Sequence, residues 1–121
     1  MGYGRIVKSN VAAILIFSEK RGEPMREQYI ERLRQLVLRV MAGEAADIYL
    51  FGSWARGEQQ HGSDVDLAVA YHGVSNAMKI AELREALEES TLPYRVDVVD
   101  MQQASSALLA EIKKDGIKWT D

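Results

Sequence analysis

From Met25 to Ala42, apolar residues recur at Ile30, Leu33, Val37, Val40 and Met41, with Arg and Glu between them. That is the spacing of an amphipathic helix. Pro24 suits its first turn and Gly43 its end, so a helix is predicted over 25–42. Asp47-Ile48-Tyr49-Leu50-Phe51 is apolar, rich in β-formers and closed by Gly52, the pattern of a buried strand. Residues 64–71, DVDLAVAY, read as a second strand. A second helix is predicted over 76–88, with Ser75 as N-cap and Ile80, Leu83 and Leu87 on one face. Pro93 breaks it, and Tyr94 to Val99 forms a third strand. A third helix covers 104–114, with Lys113 and Lys114 near its end and Gly116 just beyond. The order helix, strand, strand, helix, strand, helix predicts an α/β (α+β) fold: a small mixed β-sheet flanked by helices.

Residues 1–24 are the least readable stretch. The seven-residue apolar run Val11–Phe17 has no decisive period and suits a short helix or a strand. It is far below the roughly 20 residues of a membrane span. Arg5 and Lys8 resemble the basic start of a signal peptide, but no small-residue cleavage site follows. The expected organisation is one domain over 1–121, with 1–24 as an N-terminal extension and 25–119 as the core. Met25 would serve as an alternative start.

The chain has 121 residues, room for one core. It contains no cysteine, which removes disulfides, thiolate metal sites and cysteine nucleophiles from consideration and fits a cytoplasmic location. A net charge of −3 disfavours a protein whose main task is to grip nucleic acid, because phosphate neutralisation dominates that affinity. A nucleotide is held locally and remains open.

The segment 52–66, GSWARGEQQHGSDVD, concentrates the chemistry. Gly52 lets a phosphate approach the backbone, and Ser53 with neighbouring amides can form an anion nest. Gly-Ser at a strand end is by itself usually an ordinary turn. Asp64 and Asp66 lie two apart, so both carboxylates leave the same face, while Val65, Leu67, Val69 and Tyr71 make the opposite face wholly apolar. Two like charges so close are best tolerated around a divalent cation, and hard oxygen ligands suit Mg²⁺. Without further support, a solvated strand end carrying two acids is an equal reading. In YRVDVVD, parity places Arg95, Asp97 and Val99 opposite the packing set Tyr94, Val96 and Val98, so Asp97 can join the pair if the strands are neighbours. Asp100 has the wrong parity and is expected to cap the next turn. Three convergent carboxylates would support two metal ions at a reacting phosphate. A short helix after Ser53 would aim its positive end at phosphates, and Arg56 can add a charge-assisted contact, although a solvated surface arginine is as good a reading. His61 and His72 read as loop residues, Tyr49 as core, Trp54 and Trp119 as packing or interface residues. No His/Asp/Glu spacing suggests zinc. Ser53 lacks the supporting set of a nucleophile.

Gly-Ser, ten residues, then Asp-x-Asp resembles the signature of the DNA polymerase β-like nucleotidyltransferase superfamily, complete here as Gly52, Ser53, Asp64 and Asp66. The wording is similar to the short MNT subgroup, and the resemblance covers roughly residues 25–119. It implies a polymerase-β-like fold and a nucleoside triphosphate, ATP by expectation, whose γ/β-phosphates are held by the Gly52-Ser53 turn. It also implies two Mg²⁺ ions on Asp64, Asp66 and Asp97, and Asp97 helping to deprotonate the incoming hydroxyl. MNT proteins are commonly encoded beside a HEPN helical partner as antitoxin and toxin, and some place AMP on a tyrosine of that partner. The resemblance therefore implies an AMPylating antitoxin in a hetero-oligomer, with a homodimer as the state of the chain alone. It implies neither membrane nor direct nucleic-acid binding. The rival readings are an antitoxin acting by contact alone, a small-molecule nucleotidyltransferase, and an acidic domain that binds a protein without nucleotide. Larger relatives carry a second domain for base and acceptor, so a second chain is expected to finish the site. Base preference, acceptor and the number of nucleotides transferred are not written in the sequence.

Overall fold

The computed structural model describes residues 23–60 and 62–120, the side chains of 23–25 excepted. The run Val11–Phe17, most of the N-terminal extension and His61 lie outside the described residues. The chain forms two compact units, Met1–Leu36 and Val37–Asp121.

Helix α1, Glu23–Val40, begins two residues before the predicted start. In the first unit Tyr29 and Leu33 are buried one turn apart, and Glu31 on the outer side pairs with Arg34 at 3.8 Å and accepts from Gln35 at 3.1 Å. These are the i,i+3 and i,i+4 neighbours of a helix surface. Val37 and Met41 continue the buried stripe inside the second unit.

The second unit carries the sheet. Strand β1 (Ala46–Phe51) leads through a single-turn helix α2 (Ser53–Arg56) and a loop to β2 (Val65–Tyr71). Helix α3 (Ala77–Glu89) crosses to β3 (Val96–Asp100). A 3₁₀ turn (Met101–Gln103) precedes α4 (Ser106–Asp115), and β4 (Ile117–Lys118) ends the chain's regular structure. The sheet order is β3-β2-β1-β4. β1 is antiparallel to β2 and β4, while β2 and β3 are parallel, as the βαβ connection through α3 demands. The mixed sheet matches the expectation.

Both faces of this sheet are used. Val65, Leu67 and Val69, with Ile48 and Leu50, form a fully buried face. α3 turns Ile80, Leu83 and Leu87 inward and packs against β3. On the opposite face, Phe51, Ala68 and Ile112 make a small core against which Tyr49, Val99, Met101 and Leu108 pack. Tyr49 is thus part of the core margin, as read from sequence. α4 covers only part of this face, and the uncovered end is where Asp66 and Asp97 emerge.

Some details differ from the sequence reading: β2 begins at Val65 rather than Asp64, and β3 runs from Val96 to Asp100 rather than from Tyr94 to Val99. α3 is capped by Asn76, whose Oδ1 accepts from the Lys79 amide at 3.1 Å, because Ser75 uses its hydroxyl on Asp100 and Gln102 instead. α4 starts at Ser106 with Ser105 as its cap, since the 3₁₀ turn occupies the preceding residues. β4 has only two residues and no periodicity to reveal it; it exists because β1 offers it an edge. Among the described residues no helix is long and apolar enough to cross a membrane.

Candidate functional site

The register brings two of the three sequence-predicted carboxylates together, Asp66 and Asp97. Asp66 is the Cα partner of Asp97 across the parallel β2–β3 pair and of Phe51 across the antiparallel β1–β2 pair. Side chains of directly paired residues leave the sheet on the same side. Asp66 and Asp97 therefore stand side by side on the face that α4 leaves open. Asp64 lies just before β2 rather than within it, and is exposed. Asp97 is half-exposed and has the Arg95 guanidinium 3.5 Å away.

Asp66 carries the electrostatic strain of this arrangement. Burial, reinforced by the like charges of Asp97, Asp64 and Glu111, pushes its carboxyl up to about 6, against a smaller opposing pull from Arg56. Like charges disfavour the ionised form, so the clustered carboxylates hold Asp66 toward its protonated state. The donor set is all oxygen and fits a hard divalent cation of the Mg²⁺ type. Among the described residues no three His, Asp or Glu side chains stand together as a ready metal cage. Asp97 leans on Arg95, and Asp64 faces solvent.

Gly52 sits where β1 ends, with φ +76° and ψ −158°, a region essentially reserved for glycine. A Cβ here would collide with the Asp66 carboxylate. The glycine thus serves a purpose beyond phosphate approach: it leaves the space in which Asp66 stands. Ser53 opens α2, whose N-cap is that same glycine, so no side chain of the cap itself occupies the first-turn amides.

Arg56 ends α2 and lies near the carboxylates, but its guanidinium is already engaged. Nε contacts Glu58 at 2.8 Å, and Nη1 contacts Glu111 and Asp115 at 3.5 Å each. Its structural role is to tie α2 to α4; any phosphate contact would draw on donors shared with three acids. Trp54, buried behind Ser53, donates its indole N–H to the Ser63 carbonyl at 3.2 Å and meets Tyr94 edge-on at 5.0 Å. One aromatic residue thereby links the Gly52-Ser53 turn, the loop that ends at Asp64 and the approach to β3. It is a packing residue, as expected.

Asp100 is buried, and its Oδ1 accepts from the Gln102 amide at 2.9 Å and from Ser75 Oγ at 3.1 Å. It caps the 3₁₀ turn and points away from Asp97, as strand parity requires. His72 follows β2 and contacts Asp47 at 3.0 Å, far along the sheet from the acidic end.

Glu111 is the residue that sequence reasoning missed. It raises Asp66 and holds Arg56. The available signal was its position: three residues after Leu108 and one before Ile112, both on the packing side of α4, an acid on the inward stripe of an amphipathic helix. A cavity of about 1040 Å³ opens between Asp66, Asp97, Glu111 and the approach to β3.

The family model described as polymerase beta, nucleotidyltransferase, matches residues 40–119. The protein adenylyltransferase MntA of Shewanella oneidensis is 38% identical over 69 residues, 57% of this chain and 49% of that protein. The match therefore spans about half the length of that curated relative. A solved toxin–antitoxin structure with AMP-PNP superimposes with a TM-score of 0.58 at 33% identity, over 78% of this chain and 72% of that one. A structure of a tri-AMPylated Shewanella oneidensis HEPN toxin in complex with MNT antitoxin gives a TM-score of 0.54 at 26% identity, over 79% and 71% of the two chains.

Proposed function

Because the chain belongs to the polymerase β nucleotidyltransferase family, we propose that it transfers AMP from ATP to a hydroxyl of a HEPN-type helical partner, most simply a tyrosine, and so acts as the antitoxin of a toxin–antitoxin pair. The observation that carries this reading is the in-register pair Asp66 and Asp97 beside the glycine-only turn at Gly52. The relatives add the chemistry of transfer: one is a protein adenylyltransferase, and another is seen with a tri-AMPylated HEPN toxin.

In this reading Asp64, Asp66 and Asp97 hold Mg²⁺. Bound there, the cation would neutralise the triphosphate and the charge that develops on the reacting phosphoryl group. The Gly52-Ser53 turn offers backbone amides and one hydroxyl to the β- and γ-phosphates. Asp97 accepts the proton of the incoming hydroxyl, whose oxygen then bonds to the α-phosphorus as the bond to the β-phosphate oxygen breaks. Pyrophosphate leaves and AMP stays on the acceptor. Glu111 keeps Arg56 in place beside this turn. A negative phosphate and an adenosine on the partner would repel an RNA backbone from its surface, which suits inhibition of a toxin.

The test is the intact mass of the partner after incubation with the protein, ATP and Mg²⁺. A gain of one or more AMP units, absent with Asp64→Asn, is expected. A tight complex without any mass gain at saturating MgATP would instead identify inhibition by contact.

A further inference from the structure

β3 is the terminal strand on its side of the sheet, with β2 as its one neighbour among the described residues. The Val65 amide donates to the Arg95 carbonyl at 2.9 Å, and in a parallel ladder such bonds run from every second residue. Arg95, Asp97 and Val99 therefore turn their backbone groups toward β2. Val96 and Val98 turn theirs to the free edge. The Arg84 guanidinium, which donates to the Val98 carbonyl at 2.7 Å from α3, agrees with this alternation.

The 1040 Å³ cavity follows this edge. Its lining includes the four consecutive residues Val96, Asp97, Val98 and Val99. Successive strand residues point to opposite faces, so one cavity can touch all four only by running along the strand's side. The same cavity reaches Asp66 and Asp97, so the edge and the proposed reaction centre share one continuous space.

The geometry points to the β3 edge as the docking site for an extended segment of the acceptor polypeptide, which adds as a further strand and brings its hydroxyl beside Asp97. This rests on the transferase reading above. Strand addition draws affinity from main-chain pairing and leaves alternate side chains free to be selected. The edge groups on offer are the N–H and C=O of Val96 and the N–H of Val98. Arg84 takes the next carbonyl and closes the edge there, so the paired stretch is short and confined to the acidic end. Charge defines the partner further. Asp66, Asp97, Glu88 and Glu111 line the cavity against Arg84 and Arg95, and Arg84 is already committed. A basic peptide is attracted to such a lining, and the phosphates of an RNA strand are repelled.

Amide hydrogen exchange, read residue by residue by NMR, tests the docking. The full chain is mixed with Mg²⁺, a non-hydrolysable ATP analogue and a capped peptide, Lys-Thr-Val-Tyr-Val-Thr-Lys. Exchange at Val96 and Val98 is expected to slow about tenfold or more, with Val99, already bonded into the sheet, unchanged. Two further peptides carry N-methyl groups on one or the other set of alternate amides. One set should abolish the protection and the other preserve it. No slowing at saturating peptide, an equal response to both methylated peptides, or the same slowing with an oligouridylate would overturn the docking. Binding is read here without turnover. AMP found on a partner protein while Val96 and Val98 stay unprotected would therefore overturn the docking alone, and protection without transfer to any acceptor would overturn the transferase reading alone.

Discussion

Asp47 and Asp66 stand on the same face of the same sheet, near opposite ends of the β1–β2 pair, and their surroundings push them in opposite directions. Burial raises Asp47, but hydrogen bonds from Thr120 (2.7 Å) and His72 (3.0 Å), with the charge of Lys118, outweigh it and hold the carboxyl below its usual range. Asp66 is half-buried too, yet its neighbours are Asp97, Asp64 and Glu111, and it rises to about 6. One end of the sheet places donors around an acid; the other places acids around an acid. The first arrangement stabilises the fold without any ligand. The second lowers stability until something cationic arrives, and perturbations of that kind gather at functional sites.

The largest effect is expected at the strained end. Asp66→Asn should reduce transfer at least about 100-fold, read as AMP incorporated per minute, because in the proposed reading it removes a carboxylate that would hold Mg²⁺. The metal-free protein should not suffer. In the native state Asp66 binds its proton more tightly than in the unfolded chain, so metal-free stability falls as pH rises from about 4 through about 6. The asparagine variant removes that decline, and Mg²⁺ reverses it in the parent. Thermal melting between pH 4 and 8, with and without Mg²⁺, checks both; a steeper decline in the variant would break the contrast between the two aspartates.

Gly52→Ala comes next. A side chain at φ +76° costs about 1–3 kcal/mol, and its Cβ displaces the Asp66 carboxylate. Urea unfolding should show the loss, and titration with MgATP should show weakened binding. A variant that is destabilised yet binds MgATP normally would separate the turn from the phosphates.

Asp47→Ala inverts the pattern and has the smallest effect on transfer, within about twofold for folded protein. Its cost is in stability, about 1–3 kcal/mol, since Thr120 and His72 lose a buried acceptor. The lowered carboxyl contributes above its unfolded pKa and loses that contribution on acidification, so the variant and the parent should converge as pH falls toward 3. A substantial drop in transfer would mean that the two ends are coupled.

The acidic end was more legible in the sequence than the quiet end, and the reason is geometric. A two-residue strand period assigns faces without any knowledge of contacts, so Asp66 and Asp97 could be grouped and Asp100 set apart before any fold was known. Gly52 announced a turn, but the collision that excludes a side chain involves Asp66 and appears only in three dimensions. What parity cannot supply is pairing between elements far apart in sequence. The Asp47–Thr120 hydrogen bond and the two-residue β4 depend on where the chain's end returns, and Glu111 depends on how α4 lies on the sheet. The cap of α3 shows a subtler limit. Ser75 and Asn76 are both good capping residues, and the choice is made by Asp100 and Gln102, which occupy the serine.

The parallel pairing of β2 with β3 also has a consequence in time. Asp64 and Asp66 arrive with the β1–β2 pair, whose partners are joined through α2 and the loop after it. Asp97 comes about thirty residues later and is paired with Asp66 across the crossover through α3. Closing that longer segment costs somewhat more chain entropy than closing the β1–β2 connection. A ribosome-bound chain that has released only β1 and β2 would hold the glycine turn and two of the three acids, yet have no partner for Asp66. Competence would then be a property of the finished sheet, switched on as the final parallel strand docks.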